Sequence, residues 1–373
     1  MTIPKTMRAV LLTGHGGLDK LVYREDVPVP APKRGEVLIE IGACGVNNTD
    51  LNTRTAWYAP EVRSGLTAEI GIHGIPTDGD HAGWTRNPLK FPRIQGADGV
   101  GRIVAVGEGV PSSRIGERVI IDPCMRDPKR PARARGTLYI GSEVDGGYAE
   151  YAAIVTENAL KVDCGLSDIE LATFACSYST AEEMQTRTRL DRSETVLVTG
   201  ASGGVGTAHI QLAKRRGARV IAVAGRDKER RLREIGADLF VPREREDLAA
   251  AVTELVGEQG VDAVYDVVGG PRFTDLFRVL RRGGRYASAG AIAGPYGEID
   301  IRDLVYKDLE LHGIANPELE TVQRLVGYIE RGEVKPLVDR VFPLAQLREA
   351  HAEFVQKHHV GKIVIAVRDG ATR

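Results

Sequence analysis

Residues 196–206 read Val-Leu-Val-Thr-Gly-Ala-Ser-Gly-Gly-Val-Gly and continue into Thr-Ala-His-Ile-Gln-Leu-Ala-Lys214. An apolar run enters a glycine-rich turn, and a segment of helical period leaves it. Gly200 permits the tight turn, Gly203 lets the backbone approach a pyrophosphate, and Gly206 lets helix and strand pack closely. The free N–H groups of the helix start then face the anion. Gly200, Ser202, Gly203, Gly204, Val205 and Gly206 are therefore candidate dinucleotide ligands. The strand before, the helix after and a second apolar run at Arg219–Val223 all agree, which lifts the motif above a bare glycine pattern.

The second run ends in Val223-Ala-Gly-Arg-Asp-Lys228. Enzymes that bind NAD place an acidic residue there to hold both ribose hydroxyls. Here Ala224 or Gly225 fills that place and two cations follow, so Gly225, Arg226 and Lys228 are expected to accept the 2′-phosphate of NADPH. Asp227 lies close by, and a solvated helix start is the other reading of Arg226 and Lys228.

These residues need elements to hold them. With 373 residues the chain suits two domains rather than one core. Up to about residue 160 it carries short β-type runs between glycines and prolines: Arg8–Leu12, Glu36–Ile41, Arg102–Val106, Arg118–Ile121 and Tyr148–Val155. That pattern suggests a β-rich domain, a partly open barrel. From about Ser167 apolar strands (Thr195–Val198, Arg219–Val223, Asp262–Val268) alternate with helical segments, the mark of a parallel sheet built from βαβ units. Helices at Glu318–Arg331 and Leu347–Gln356 and a strand at Lys362–Val367 then return to the first domain.

Composition excludes several function classes. Fifty Lys and Arg against 51 Asp and Glu leave a net charge of −1, without the basic excess of a nucleic-acid binder. The stretch Arg126–Arg135 is the densest in cations, and it reads as a solvated loop or a phosphate or partner site. No signal peptide is visible. No apolar run reaches the ~18 residues of a membrane span. The four cysteines form no CxxC pair, so a reducing cytoplasm is the expected location.

Gly-Ala-Ser-Gly-Gly-Val-Gly, Gln-Leu-Ala-Lys214 and Ile-Gly-Ala-Asp238 together resemble the quinone-oxidoreductase branch of the medium-chain dehydrogenase/reductase superfamily. Further matches are Cys44-Gly-Val-Asn-Asn-Thr-Asp50, Gln95-Gly-Ala-Asp98, Gly116-Glu-Arg-Val119, Asp266-Val-Val-Gly-Gly270 and Gly361-Lys-Ile-Val364. They stand in the family's order over nearly the whole chain. The glycine spacing also fits the short-chain dehydrogenases through Thr199, Gly200, Gly204 and Gly206. In those proteins the motif opens the chain and a Tyr-x-x-x-Lys pair follows; none of the 11 tyrosines here has Lys four residues on.

The resemblance implies an α/β fold: a Rossmann doubly wound parallel sheet plus a GroES-like β-rich catalytic domain. The expected division is 1–175, first part of the catalytic domain; 176–315, the NADP-binding domain; and 316–373, the return. It implies hydride transfer with a nicotinamide cofactor in the cleft between them, in a homodimer, and it adds Val268, Ala289, Gly290 and Lys362 to the cofactor set. Zinc-dependent relatives hold the metal with three residues whose places here are taken by Asn47, Ala97 and Cys176. One thiolate with an amide and a methyl does not make a tetrahedral site. Assistance from Asp98 or Asp50 is the alternative. The structural zinc lobe would need four cysteines, and between Asp122 and Gly147 there is only Cys124. The expectation is no metal.

Without a metal, the catalytic candidates are Asn47, Asn48 and Thr49, as hydrogen-bond donors to a carbonyl oxygen, and Tyr58, with solvent or a tyrosine as the source of the proton. Thr49 and Asp50 equally suit a turn cap. The stretch 54–90 is long for this branch and carries Trp57, Tyr58, Trp84, His73 and His81. It reads as loop rather than helix, with surface histidines, and borders the acceptor or packs on its own domain. The leading expectation is NADPH-dependent reduction of a quinone or an α,β-unsaturated carbonyl compound. An alcohol dehydrogenase and a catalytically idle NADPH-binding protein are the alternatives.

Overall fold

A computed structural model describes residues 2–76, 82–126 and 137–368. His81 and the basic stretch beyond Arg126 lie outside them. Arg126 itself is bound to Asp122 and to the Pro317 carbonyl at 3.1 Å, so this cation is held by the protein.

The N-terminal half is β-rich because its apolar residues alternate in short runs. Glu36–Gly45 is the central strand. Antiparallel neighbours Asp98–Val106 and Tyr151–Val155 pair with it, and so does Lys362–Ala366 from the far end of the chain. Val338–Pro343 extends that sheet, and Arg118–Ile121 and Ala159–Lys161 close its other side. A smaller sheet of Thr6–Leu12, Leu21–Pro28 and Arg93–Ile94 covers one face. The return of the last strands explains how residues about 320 positions apart share one core.

The second body is a six-stranded parallel sheet. Its order is Leu239–Pro242, Arg219–Ala224, Thr195–Val198, Val261–Asp266, Leu280–Ser288 and Glu310–Gly313. Val196, Leu197 and Val198 are wholly buried, as a strand covered by helices on both faces must be. The order reverses between Thr195–Val198 and Val261–Asp266. At such a switch point the loops diverge and leave a crevice at the carboxyl ends of the strands. The α/β fold expected from the sequence, a doubly wound sheet plus a β-rich body, is the one observed.

Several elements differ from the ranges expected, among them Glu36–Gly45, Asp98–Val106 and Tyr151–Val155. The strand expected over Asp262–Val268 stops at Asp266, because that carboxylate accepts the N–H groups of Val268 and Gly269 and turns the chain. Helix Leu319–Glu330 packs on helix Ala175–Arg187. The stretch 54–90 is not all loop. Arg54 ends helix Asn48–Arg54, and a second helix, Ala68–His73, starts where the Thr67 hydroxyl accepts the Ile70 N–H at 3.2 Å. The isoleucines of that helix pack into the core that helix Leu347–Gln356 also lines, a partner local sequence does not reveal. His73 is exposed in its last turn.

Candidate active site

A cavity of about 580 Å³ opens between the two bodies, and a second of about 340 Å³ lies along the carboxyl ends of the parallel strands. Gly200, Gly203 and Gly204 line both, so the glycine turn divides one continuous crevice.

The glycines act as their spacing implies. Gly200 has φ +55°, a left-handed conformation suited to glycine. A Cβ on Gly206 would stand 2.3 Å from the Gly200 carbonyl, so strand and helix close on each other only without one. A Cβ on Gly203 would meet nothing nearer than 3.6 Å. Gly203 is the N-cap of helix Gly204–Arg216, whose first N–H groups face the crevice. This cradle fits a dinucleotide pyrophosphate. Val205, Ala289 and Gly290 line the larger cavity, and Ser202, Gly225, Lys228 and Val268 the smaller.

Arg226 does not belong to this set. It is exposed at the start of a short 3-10 turn, and the cations lining the smaller cavity are Lys228, Arg243, Arg272 and Lys357 instead. The Arg243 guanidinium carbon lies 3.8 Å from the point where a Gly225 Cβ would be, with Asp227 at 2.8 Å from the same point. The Lys228 ammonium is held by Ser202 Oγ at 3.2 Å and by the carbonyls of Lys357 and His359. Arg243 and Lys357 were missed because they follow unremarkable strand and helix ends; position relative to the glycine turn is their only signal. Lys357 lies beside Lys228 and donates to Asn48 Oδ1 at 3.0 Å. Burial and Lys228 push its ammonium down to about 7.

The turn after strand Glu36–Gly45 sets the chemistry of the larger cavity. A Cβ on Gly45 would strike the Ala172 carbonyl at 2.3 Å, so the turn tucks under helix Asp168–Leu171. Asn47 then caps helix Asn48–Arg54, and Asp50 accepts the Asn47 N–H at 2.9 Å. Asp50 thus serves as a cap and as acceptor from Tyr148 Oη at 3.0 Å, and burial raises its carboxyl to about 7.

Asn47 is also not free to bind a substrate. Its Oδ1 accepts from Lys362 Nζ at 2.6 Å, and its Nδ2 donates to Asp98 Oδ2 at 2.9 Å. Lys362 in turn pairs with Asp98 at 2.7 Å and reaches Ser177 Oγ at 3.4 Å. The ammonium of Lys362 is thus spent on the floor of the cavity rather than extended to a cofactor. Asn48 is likewise engaged, by Lys357.

Thr49 differs. Tyr58 Oη donates to Thr49 Oγ1 at 3.2 Å, which leaves the threonine proton free to point into the cavity. Burial pushes the Tyr58 hydroxyl up to about 12, so it keeps its proton at neutral pH. Trp57, Trp84 and Tyr139 complete the aromatic wall, with Trp84 stacked on Tyr139 at 5.0 Å. Tyr139 Oη lies 3.2 Å from Cys176 Sγ, whose thiol burial raises to about 12.

The donor set does not fit a zinc ion. Asn47, Ala97 and Cys176 stand at the three places, and the Lys362 ammonium occupies the polar ground next to them. Among the described residues no group of three or more His, Cys, Asp or Glu is arranged to hold a metal. Nor is any of their helices long and apolar enough to cross a membrane.

Comparison with known proteins agrees with the two-body reading. Residues 33–164 match the model of the alcohol dehydrogenase GroES-like domain, and residues 204–331 that of the zinc-binding dehydrogenase domain. Quinone oxidoreductase of Rattus norvegicus is 28% identical over 369 residues, covering 96% of each chain. A solved structure from Sinorhizobium meliloti 1021, provisionally assigned as an alcohol dehydrogenase, is 50% identical. It covers 98% of this chain and 97% of its own, with a TM-score of 0.87. The 2-octenoyl-CoA carboxylase reductase CinF, solved with NADP and 2-octenoyl-CoA, is 25% identical. That match covers 99% of this chain and 90% of its own, with a TM-score of 0.83.

Proposed function

We propose, from the premise that this chain belongs to the medium-chain dehydrogenase/reductase superfamily and is an NAD(P)-dependent oxidoreductase, that it reduces a conjugated acceptor with NADPH and without catalytic zinc. The acceptor class is a quinone or an α,β-unsaturated carbonyl compound. The observation that carries this reading is the floor of the cavity, where Lys362, Asp98 and Asn47 saturate one another beside the Thr49–Tyr58 pair. An alcohol's proton would need a Lewis acid or a base to take it, and Tyr58 keeps its own proton, whereas a conjugated carbonyl needs only a donor for the charge that develops on oxygen.

A nicotinamide held beside Gly203, Val205, Ala289 and Gly290 would supply a hydride to the β-carbon of the acceptor. The double-bond pair then moves onto the carbonyl oxygen, and Thr49 donates its free proton in a hydrogen bond to that oxygen. Tyr58 replenishes the Thr49 proton as the product takes one up, and solvent reprotonates Tyr58. The cavity's part is to hold the reacting carbons at roughly 3–3.5 Å in the right orientation. For the cofactor, four cations line the smaller cavity, Lys228, Arg243, Arg272 and Lys357, which favours a 2′-phosphate. Asp266, the acid that also lines it, is spent on Thr199, Tyr286 and backbone N–H groups.

We divide the chain at 1–175, 176–315 and 316–373, and place a homodimer contact along the edge strand Glu310–Gly313. That edge carries Leu311 beside exposed Val305 and Tyr306.

A turnover panel of quinones, enones and alcohols with NADPH and with NADP⁺ tests the reading, together with metal analysis. Enone or quinone reduction should dominate, chelators should leave it unchanged, and Tyr58→Phe should lower turnover by about 10²-fold. Alcohol oxidation as the main activity, or one zinc per chain, would overturn it.

A further inference from the structure

Arg86 stands at the mouth of the larger cavity in a conformation its neighbours impose. Its φ is +59°, a left-handed value that non-glycine residues adopt at a cost. The turn that imposes it is closed by the Gly83 N–H to the Asn87 carbonyl at 3.2 Å and the Arg86 N–H to the Gly83 carbonyl at 2.8 Å. It is pinned from outside. Thr85 donates its N–H and its hydroxyl to Glu143 at 2.9 Å each, and the Trp84 N–H donates to Ser142 at 3.0 Å. The turn thus fixes the backbone of Arg86, whose guanidinium has no partner among the described residues and is exposed at the rim.

The rest of the wall gives that cation a meaning. No aspartate or glutamate lines this cavity among the described residues, and the other cation lining it, Lys362, is already paired with Asp98. Trp84 stacked on Tyr139 and Trp57 set edge-on to Tyr58 at 5.8 Å make flat apolar walls between the rim and the Thr49 hydroxyl. Flat walls suit a planar conjugated body, the floor supplies the donor for its carbonyl, and the rim supplies one positive charge. A guanidinium matches a carboxylate in a bidentate pair, and one positive charge balances one negative charge.

We propose that the acceptor is a planar conjugated carbonyl compound bearing a carboxylate at the end remote from the reacting double bond, and that Arg86 selects it. The inference rests on the acceptor class proposed above, yet its test does not depend on turnover.

The chain has two tryptophans, Trp57 and Trp84, and both line the cavity. Intrinsic fluorescence therefore reports occupancy directly. With NADP⁺ bound, the protein is titrated with para-carboxybenzylideneacetone and with its para-carboxamide, for wild type, Arg86→Gln and Arg86→Glu. The carboxylate should bind about tenfold or more tightly than the amide in wild type, the size of one charge-assisted pair. The preference should vanish in Arg86→Gln and invert in Arg86→Glu, with the amide unchanged. Equal affinities in wild type, or a preference that survives Arg86→Gln, would overturn the proposal. So would equal loss of both ligands in Arg86→Gln, which would make Arg86 a wall residue rather than a reader of charge. If no enone or quinone is reduced, the acceptor reading fails separately, because the binding ratio is still read.

Discussion

Arg243 and Lys357 are cations that the crevice presents beside the glycine turn and that no motif contains. Arg243 emerges directly after strand Leu239–Pro242, so its guanidinium reaches the edge of the smaller cavity beside Gly225. Arg243→Ala should therefore weaken NADPH by about tenfold and leave NADH nearly unchanged, as paired titrations would read. Arg226→Asp should change neither by more than about twofold, since that side chain faces solvent. Lys357 carries a pH signature. Its ammonium is held down to about 7 by burial and by neighbouring Lys228, with His359, pushed to about 3, neutral beside it. The charged form is the one that attracts a pyrophosphate. NADPH affinity should thus be highest below pH 7 and decline as pH rises through and above it, and Lys357→Gln should flatten that decline. Calorimetry from pH 6 to 9 showing the same slope in both proteins would dismiss the lysine's role.

Within the stretch 54–90, residues 63–66 strap across the cleft. Leu66 donates its N–H to the Ile292 carbonyl at 2.8 Å, and Arg63 lies 4.6 Å over the Tyr296 ring. A Cβ on Gly65 would stand 2.6 Å from the Ile292 carbonyl, so glycine is what lets the strap touch the loop that carries Ala289 and Gly290. The sequence reading gave this stretch to the acceptor rather than to the cofactor; the contact ties it to both sides. Two variants separate the roles. Trp57→Ala should raise the acceptor KM or lower turnover and leave NADPH affinity within about twofold. Gly65→Val should displace the strap and weaken acceptor and NADPH together by severalfold. Unchanged kinetics in Trp57→Ala with a lowered Tm would mean that Trp57 only packs.

At the scale of the molecule, the parallel sheet ends in an unpaired edge, Glu310–Gly313, flanked by apolar side chains. Leu311 is 45% exposed and Tyr306 75%, and Val341, 45% exposed on the edge strand Val338–Pro343, is the comparable side chain of the other sheet. An exposed edge of this kind is ordinarily paired or blunted. Light scattering should accordingly give a dimer for the wild type and a monomer for Leu311→Arg with Tyr306→Asp. A monomeric wild type would dispose of the edge contact. The charge pair at the cavity floor sets a different limit. Lys362→Met alone strands the buried Asp98 and should cost about 3–5 kcal/mol, so variants there report stability before they report chemistry.

Much of the arrangement was written locally. Val196 to Gly206 specifies its own strand, turn and helix start, because glycine's conformational freedom and the apolar run act within a few residues. The strands at Arg118–Ile121 and Thr195–Val198 and the helix at Leu347–Gln356 have the limits that their own periodicity implies. The presence of Asn47 and Ala97 among the three ligand places was likewise legible. What those residues do instead was not. That Asn47 is consumed by Lys362 and Asp98, while Thr49 is left with a free proton, depends on a strand from the chain's end lying against Glu36–Gly45. That Arg243 lines the smaller cavity and Arg226 does not depends on which way each loop leaves the sheet. Local propensity governs turns and periods; partners hundreds of residues apart are chosen by burial and charge pairing, which only the folded chain brings within reach.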